Sequence, residues 1–384
     1  AINNLFSKFF PAGFYYKTFM WPKNFWYKIY EPVIRKAAGL GVAPLKPDPD
    51  RYEHKFEYCD VLVAGSGPAG ISTALAAAKN GAKVILTEEK PRFGGSLLSD
   101  EVTIGNKNGK DWADESISQL KSMPNVIVKN RSQVFGYYDH NMMVMIEKTK
   151  DNLEKPSKFI QRQRRWYIRA KEVVISSGSI ERPIVFGNND TPGVVLASAA
   201  KEYLKVYGVL VGKKPLIFTN NDSAYETAIE FKKNGIWPIV LDTRSNPDSE
   251  IINEAKSMGI DIRFSHVVIA AKGYKKVKSA EIAKISEDKK DLGKIENISC
   301  DCICVSGFWT PTIHLTSQSG NKTKFNEEID AFVPGQSKQE ETTVGSAKGI
   351  FTLEETLENA FESGFNLSKK ITNNLTSSRV ATSS

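Results

Sequence analysis

Apolar positions along the chain switch between short unbroken runs and helical spacing, the pattern of strands and helices in alternation. Residues 61–64 form an apolar run, an alanine-rich stretch follows to about Asn80, Gly81 ends it, and residues 83–87 are strand-like again. This predicts a strand, a turn, a helix and a second strand. Beyond them the pattern predicts a helix at 111–122, a strand at 126–129 and an antiparallel pair made by 142–148 with 166–169. The stretch joining that pair, KTKDNLEKPSKFIQRQR, is charged and reads as a mobile loop. Residues 172–183, EVVISSGSIERP, read as a buried strand ending in Ser-Gly-Ser before a proline. The turn Thr191-Pro192-Gly193 and a helix at 197–207 carry the chain onward.

The same succession then repeats in KPLIFTNNDSAYETAIEFKKNGIWPIVLDTR. A helix at 250–257, a strand at 261–264 and a hairpin ending at Ile298 come next, and CDCICVSGFWTP at 300–311 is a strand and turn leading back to the first unit. A last turn at 345–349 precedes a helix at 353–363, and LTSSRVATSS has the composition of a linker or disordered end.

The first turn is Gly65-x-Gly67-x-x-Gly70, with Pro68 and Ala69 between the second and third glycines. Gly65 permits the tight turn, Gly67 has no side chain to hold the backbone away from a pyrophosphate, and Gly70 lets helix and strand pack closely. The positive end of the helix then faces phosphate. Glu88 ends the second strand eighteen residues beyond Gly70, placed for the hydroxyls of an adenosine ribose, with Glu89 beside it. A carboxylate there repels a 2′-phosphate, which selects NAD or FAD over NADP. Gly94, Gly95 and Ser96 soon afterwards add a second glycine turn, and Ser177, Gly178, Gly345 and Ser346 complete the candidate nucleotide-binding residues.

In the repeat, Asp242 lies eighteen residues after Ala224, the same interval, yet Thr219, Asn221 and Ala224 replace the three glycines. Asp222 adds a negative charge at the helix start, where it can cap the helix and take the N–H groups a phosphate would need. The second unit therefore reads as a dinucleotide fold that no longer holds a pyrophosphate in the usual way. The expected fold class is α/β, with two Rossmann-like dinucleotide-binding domains, the second inserted in the first. The expected boundaries are an aromatic arm at 1–54, a first domain at 55–190 with 305–370, an inserted domain at 191–304 and a tail at 371–384.

At 384 residues, 41% hydrophobic and 25% charged, the chain is long enough for two ordinary cores. The net charge of +8 is modest and scattered. One basic cluster, RQRRWYIR at 162–169, leads straight into a buried strand, so it reads as the solvated half of a hairpin or a face for an acidic partner, not as a nucleic-acid site. Cys59, Cys300, Cys302 and Cys304 contain no CxxC pair, which argues against a dithiol centre or zinc knuckle. The last three alternate, which predicts one shared face of a core strand, filled by small apolar groups and not by a metal. Reduced thiols suit a cytoplasmic protein. No stretch has the length and apolarity of a membrane span. The aromatic start, FFPAGFYYKTFMWPKNFWY, followed by a short helix at 30–38, reads as an arm that packs on another domain or subunit, or on the first dinucleotide domain. The chain begins at Ala1, which suits a trimmed protein or a piece of a longer one.

The order of parts resembles the glutathione-reductase-like architecture. FYYKTFMWP, EPVIRKAAGLG, PDPDRYEH, GSIERP, TNNDSAY and VSGFWTP together make the chain similar to the α-subunit family of heterotetrameric sarcosine oxidases, over nearly its whole length. That family carries a ferredoxin-like module before this region and a folate-binding, aminomethyltransferase-like module after it, so the resemblance is to the central portion. It implies a multi-subunit flavoenzyme that oxidises the N-methyl group of sarcosine, yielding glycine, hydrogen peroxide and formaldehyde, the last captured as methylene-tetrahydrofolate. It also implies FAD and the amine site on a β subunit, FMN between α and β, and NAD on the α subunit. Related α subunits serve proline, opine and N-methylglutamate dehydrogenases, and the residues here do not choose among those amines.

Flavoproteins of this architecture usually hold the ribityl chain with an aspartate in the last glycine turn, where this chain has Ser346. NAD has no ribityl chain, so NAD is the expected ligand of the first site and FAD the alternative. The four histidines, His54, His140, His266 and His314, sit in unrelated contexts and mark no catalytic group. A second class of function stays open: an independent FAD-dependent reductase that takes electrons from NAD(P)H, which would need a working nicotinamide site in the second unit.

Overall fold

A computed structural model describes residues 19, 21–39, 41 and 44–381, with side chains to 373. The chain divides into two compact units, Ala1–Asp50 and Arg51–Ser384. In the first, a single π-helical turn, Trp26–Tyr30, runs into the helix Glu31–Ala37, and neither buries a residue. Phe19 and Phe25 pack against the Tyr30 ring. The aromatic stretch before Phe19 lies outside the described residues.

The second unit holds both dinucleotide folds. The strand Tyr52–Ala64 is flanked on one side by Val84–Thr87 and then Val126–Lys129, and on the other by Gln163–Ile175, all parallel. The far edge of Gln163–Ile175 is shared. Met142–Lys148 pairs antiparallel along residues 163–169, and Glu341–Thr343 pairs parallel with Val173, Val174 and Ile175. Ser132–Tyr138 adds an outer antiparallel strand that the sequence pattern did not predict. The first strand also starts at Tyr52, so residues 52–54, expected in the arm, belong to the sheet.

The alanine-rich helix Pro68–Lys79 and the helix Gly109–Ser122 close one face over Val61, Val63, Val84 and Leu86. Small side chains allow a third helix, Leu353–Ala381, to lie against the first: Thr73 Oγ1 donates to the Ala360 carbonyl at 3.0 Å. This last helix does not stop at Ser363 as expected. It runs through most of the predicted tail to Ala381, because Leu367 and Ile371 continue its buried stripe.

After Ile175 the chain leaves through Ser179–Glu181 and returns through Trp309–Pro311, and these two short strands pair with each other. Between them lies a second parallel sheet in the order Val194–Leu196, Cys302–Ser306, Pro215–Thr219, Ile239–Asp242, Asp261–Phe264. The fold is thus one Rossmann-like domain inserted in another. A three-stranded antiparallel sheet, His266–Lys272 with Ser279–Lys284 and Glu296–Ser299, covers part of its face.

The three clustered cysteines do not share a face, contrary to expectation. Cys302 and Cys304 point to the helix side with Ala197 and Ile217, whereas Cys300 precedes the strand and packs on the opposite side with Leu216 and Ile303. Burial pushes the Cys300 thiol up to about 12, which leaves it inert. No helix among the described residues is long and apolar enough to cross a membrane.

Candidate functional site

Strand register places the ends of four parallel strands at one level. Ala64 is opposite both Thr87 and Ile175, and Ile175 is opposite Thr343. The residues just beyond those ends are Gly65, Glu88, Ser176 to Gly178, and Gly345, so segments almost three hundred positions apart meet at the C-terminal edge of one sheet. That edge is where open α/β sheets bind ligands.

Each glycine of the turn meets a different constraint. Gly65 has φ +108°, and a Cβ on it would lie 2.3 Å from the Ser176 carbonyl oxygen. A Cβ on Gly70 would lie 2.0 Å from the carbonyl oxygen of Gly65 itself. Nothing stands within 4 Å of the corresponding point on Gly67. Gly65 and Gly70 are therefore required by the fold, and Gly67 opens space at the N-terminus of Pro68–Lys79. No side chain caps that helix. Its dipole end and first-turn N–H groups point into the space beside Gly67.

The second glycine turn closes on the first. Gly94 N–H donates to the Ser66 carbonyl at 3.0 Å, and a Cβ on Gly95 would sit 2.8 Å from the Gly67 Cα. From the opposite side, Gly345 approaches Ala69, and Gly178 faces the Ser346 hydroxyl at 4.0 Å from its would-be Cβ. Glu88 is buried. Its Oε2 accepts from Ser66 N–H at 3.1 Å and Ser66 Oγ at 2.6 Å, and its Oε1 from Lys90 N–H at 2.9 Å.

Two serines here were not singled out from the sequence. Ser66 orients Glu88, and Ser176 Oγ donates to the carbonyls of Ala64 and Gly65 at 2.9 and 2.8 Å. The predicted Ser177 turns away, donating to Thr312 O at 2.8 Å. Glu89 and Ser96 are exposed, and Glu89 accepts from Gln133 at 3.4 Å.

The second turn is built shut. Asn221 occupies the position that Gly67 has in the first, and its side chain is buried in a ring of bonds: Oδ1 accepts from Ser223 N–H at 3.0 Å, while Nδ2 donates to Ser306 O and Oγ at 3.1 Å. The helix cap is thus Asn221, not Asp222. Asp222 pairs instead with Arg244 at 2.7 Å. Asp242, the counterpart of Glu88, is fully buried and accepts from Tyr225 Oη at 2.8 Å, Arg244 N–H at 2.9 Å and Arg244 Nη2 at 2.8 Å. Burial works to lower the Arg244 pKa, but its hydrogen bonds to Asp242 and Asp222 raise it above the ordinary value. A ribose would have to displace that cation.

Residues 59–333 match the model of a family described as pyridine nucleotide-disulphide oxidoreductase. The chain belongs to that family. Within it, the chain is 41% identical over 354 residues to the sarcosine oxidase subunit alpha of Rhizobium meliloti (strain 1021), covering 90% of this chain and 34% of that protein. It spans about a third of the length of that protein and of the sarcosine oxidase α subunits of Corynebacterium sp. strains P-1 and U-96. Among solved structures, the fold is shared with L-proline dehydrogenase from P. horikoshii (TM-score 0.62, 21% identity, 83% of this chain and 57% of that one) and T. acidophilum thioredoxin reductase (TM-score 0.63, 16% identity, 82% and 98%).

Proposed function

We propose that this chain is the NAD-binding portion of the α subunit of a multi-subunit, flavin-dependent oxidase that demethylates sarcosine or a related N-methyl amino acid. With sarcosine the products are glycine, hydrogen peroxide, and formaldehyde or methylene-tetrahydrofolate. The observation that carries this reading is the contrast between the two turns. The first is open at Gly67 beside the buried Glu88, and the second is filled by Asn221 and by the Asp242–Arg244 pair. A reductase that collects hydride from NAD(P)H needs both sites, and an α subunit holding one nucleotide needs one.

In this reading Gly65, Gly67, Pro68, Ala69 and Gly70 receive the pyrophosphate and Glu88 the adenosine ribose. The nucleotide stabilises the fold by binding the folded form alone. Ser346 in place of an acid favours NAD over FAD there. FMN sits at the interface with a partner subunit, and FAD and the amine site lie on that partner, so amine chemistry takes place outside this chain.

The test is to denature the purified protein and identify the released nucleotide by absorbance and mass spectrometry. NAD without a flavin band from this chain is the expected result. Released FAD overturns the argument from Ser346 and puts the independent reductase first, a reading that turnover of NADH with a dye acceptor would then establish.

A further inference from the structure

Parallel strands in α/β folds are normally covered on both faces, because their crossover helices pack there. The first strand departs from this between residues 52 and 58, where it continues beside residues 163–169 in the register His54↔Arg165, Phe56↔Tyr167, Tyr58↔Arg169. Paired residues share a face. The opposite face is occupied: Ile168 and Trp166 join Met143 and Met145 in a core, and Glu53 and Glu57 pair with Arg164 and Lys83. Among the described residues of the second unit, nothing covers the face in question. His54, Phe56, Tyr58, Arg165 and Arg169 are all exposed, Phe56 at 79%, and the Phe56 and Tyr167 rings stack at 5.1 Å and 16°. Within residues 52–58 and 163–169 no position on this face holds a carboxylate, since both glutamates of 52–58 point the other way, and the next acid along the strand, Asp60, is already paired with Lys171 at 2.9 Å.

We infer that this face docks a second protein chain, a partner subunit that presents carboxylates around an apolar patch; the inference rests on the multi-subunit reading above. Stacked aromatics beside arginines are the composition of interface centres. Among the described residues Arg165 meets only the Tyr167 hydroxyl at 3.5 Å and Arg169 only the carbonyls of Asp139 and His140, so neither guanidinium has an acid beside it, and both call for carboxylates from outside, with the planar geometry that favours bidentate pairing. A second copy of this chain fits poorly, because pairing the face with itself would set Arg165 and Arg169 against their own equivalents.

The experiment isolates the tagged full-length protein with its complex from its own cells. It compares the wild type with R165E/R169E and with Phe56→Ser by native mass spectrometry, and measures bound nucleotide per chain. The expected result is at least a tenfold loss of one partner subunit in both variants, with bound nucleotide and melting temperature unchanged, and a smaller loss in R165K/R169K, which keeps the charge but not the planar fork. Variants that keep the full complement of subunits overturn the docking inference alone. So does wild-type protein whose partner on this face proves to be a second copy or nucleic acid. Wild-type protein that carries no partner subunit overturns the multi-subunit reading and the docking with it.

Discussion

Gly67 and Gly70, three positions apart, separate binding from folding. A Cβ at 70 meets backbone at 2.0 Å, and a Cβ at 67 meets nothing within 4 Å. Gly70→Ala should cost about 3 kcal/mol in urea unfolding, because backbone cannot move aside as a side chain can. Gly67→Ala should leave the unfolding midpoint within about 0.5 kcal/mol of wild type. It should nonetheless weaken nucleotide binding about tenfold or more, a loss of about 1.4 kcal/mol readable by calorimetry on nucleotide-depleted protein. The spacing of these glycines was legible because the motif is local. The roles of Ser66 and Ser176 were not, since each depends on a strand end brought alongside from elsewhere.

At the scale of elements, the helices Ala197–Tyr207 and Ser223–Lys233 of the inserted domain are tied to the segments on either side of the second glycine turn. Lys201 reaches Asp100 at 2.7 Å, Lys205 and Lys233 reach Glu101 at 2.8 and 2.5 Å, and Lys90 reaches Glu202 at 2.8 Å. Hydrogen bonds from Lys205 and then Lys233 hold the Glu101 carboxyl down to about 2, against an ordinary value of 4.5. A folded-state pKa depressed in this way adds stability that is present above the ordinary value and lost as pH falls from there toward about 2. Glu101 is half exposed, so Glu101→Gln should cost no more than about 1 kcal/mol at pH 7. The gap to wild type should close as pH falls from about 4.5 to about 2 in urea titrations and shrink in high salt. The packing of Leu353–Ala381 on Pro68–Lys79 has a sharper requirement, because a Cβ on Gly364 would stand 2.4 Å from the Thr73 carbonyl oxygen. Gly364→Ala should therefore cost about 2 kcal/mol by urea unfolding.

For the whole molecule, one open and one closed turn predict a single bound nucleotide per chain. Calorimetry with NAD on depleted protein should give a stoichiometry near one, and Arg244→Ala should not raise it, because Asn221 still fills the second turn. A stoichiometry near two would contradict the closed second site. Adding NADH and a dye acceptor should likewise produce no turnover by this chain.

Much of this was determined by the sequence alone. The alternation of strand and helix, the helices Ala197–Tyr207 and Glu250–Ser257, the strand Asp261–Phe264 and the loss of glycines from the second turn are all local signals, carried by residues within one or two turns of each other. The tertiary structure decided what depends on juxtaposition. Cys300 could not be separated from Cys302 and Cys304 by counting, because the strand starts only at Cys302. The run of Leu353–Ala381 beyond Ser363 rests on burial of Leu367 and Ile371 against the first domain, and the polar composition of its end hid it. The sealing of the second turn likewise needed Ser306 brought to Asn221, and Arg244 to Asp222, from separate strand ends. Periodicity records which side of an element is apolar; it does not record what that side, or the bare one, is set against.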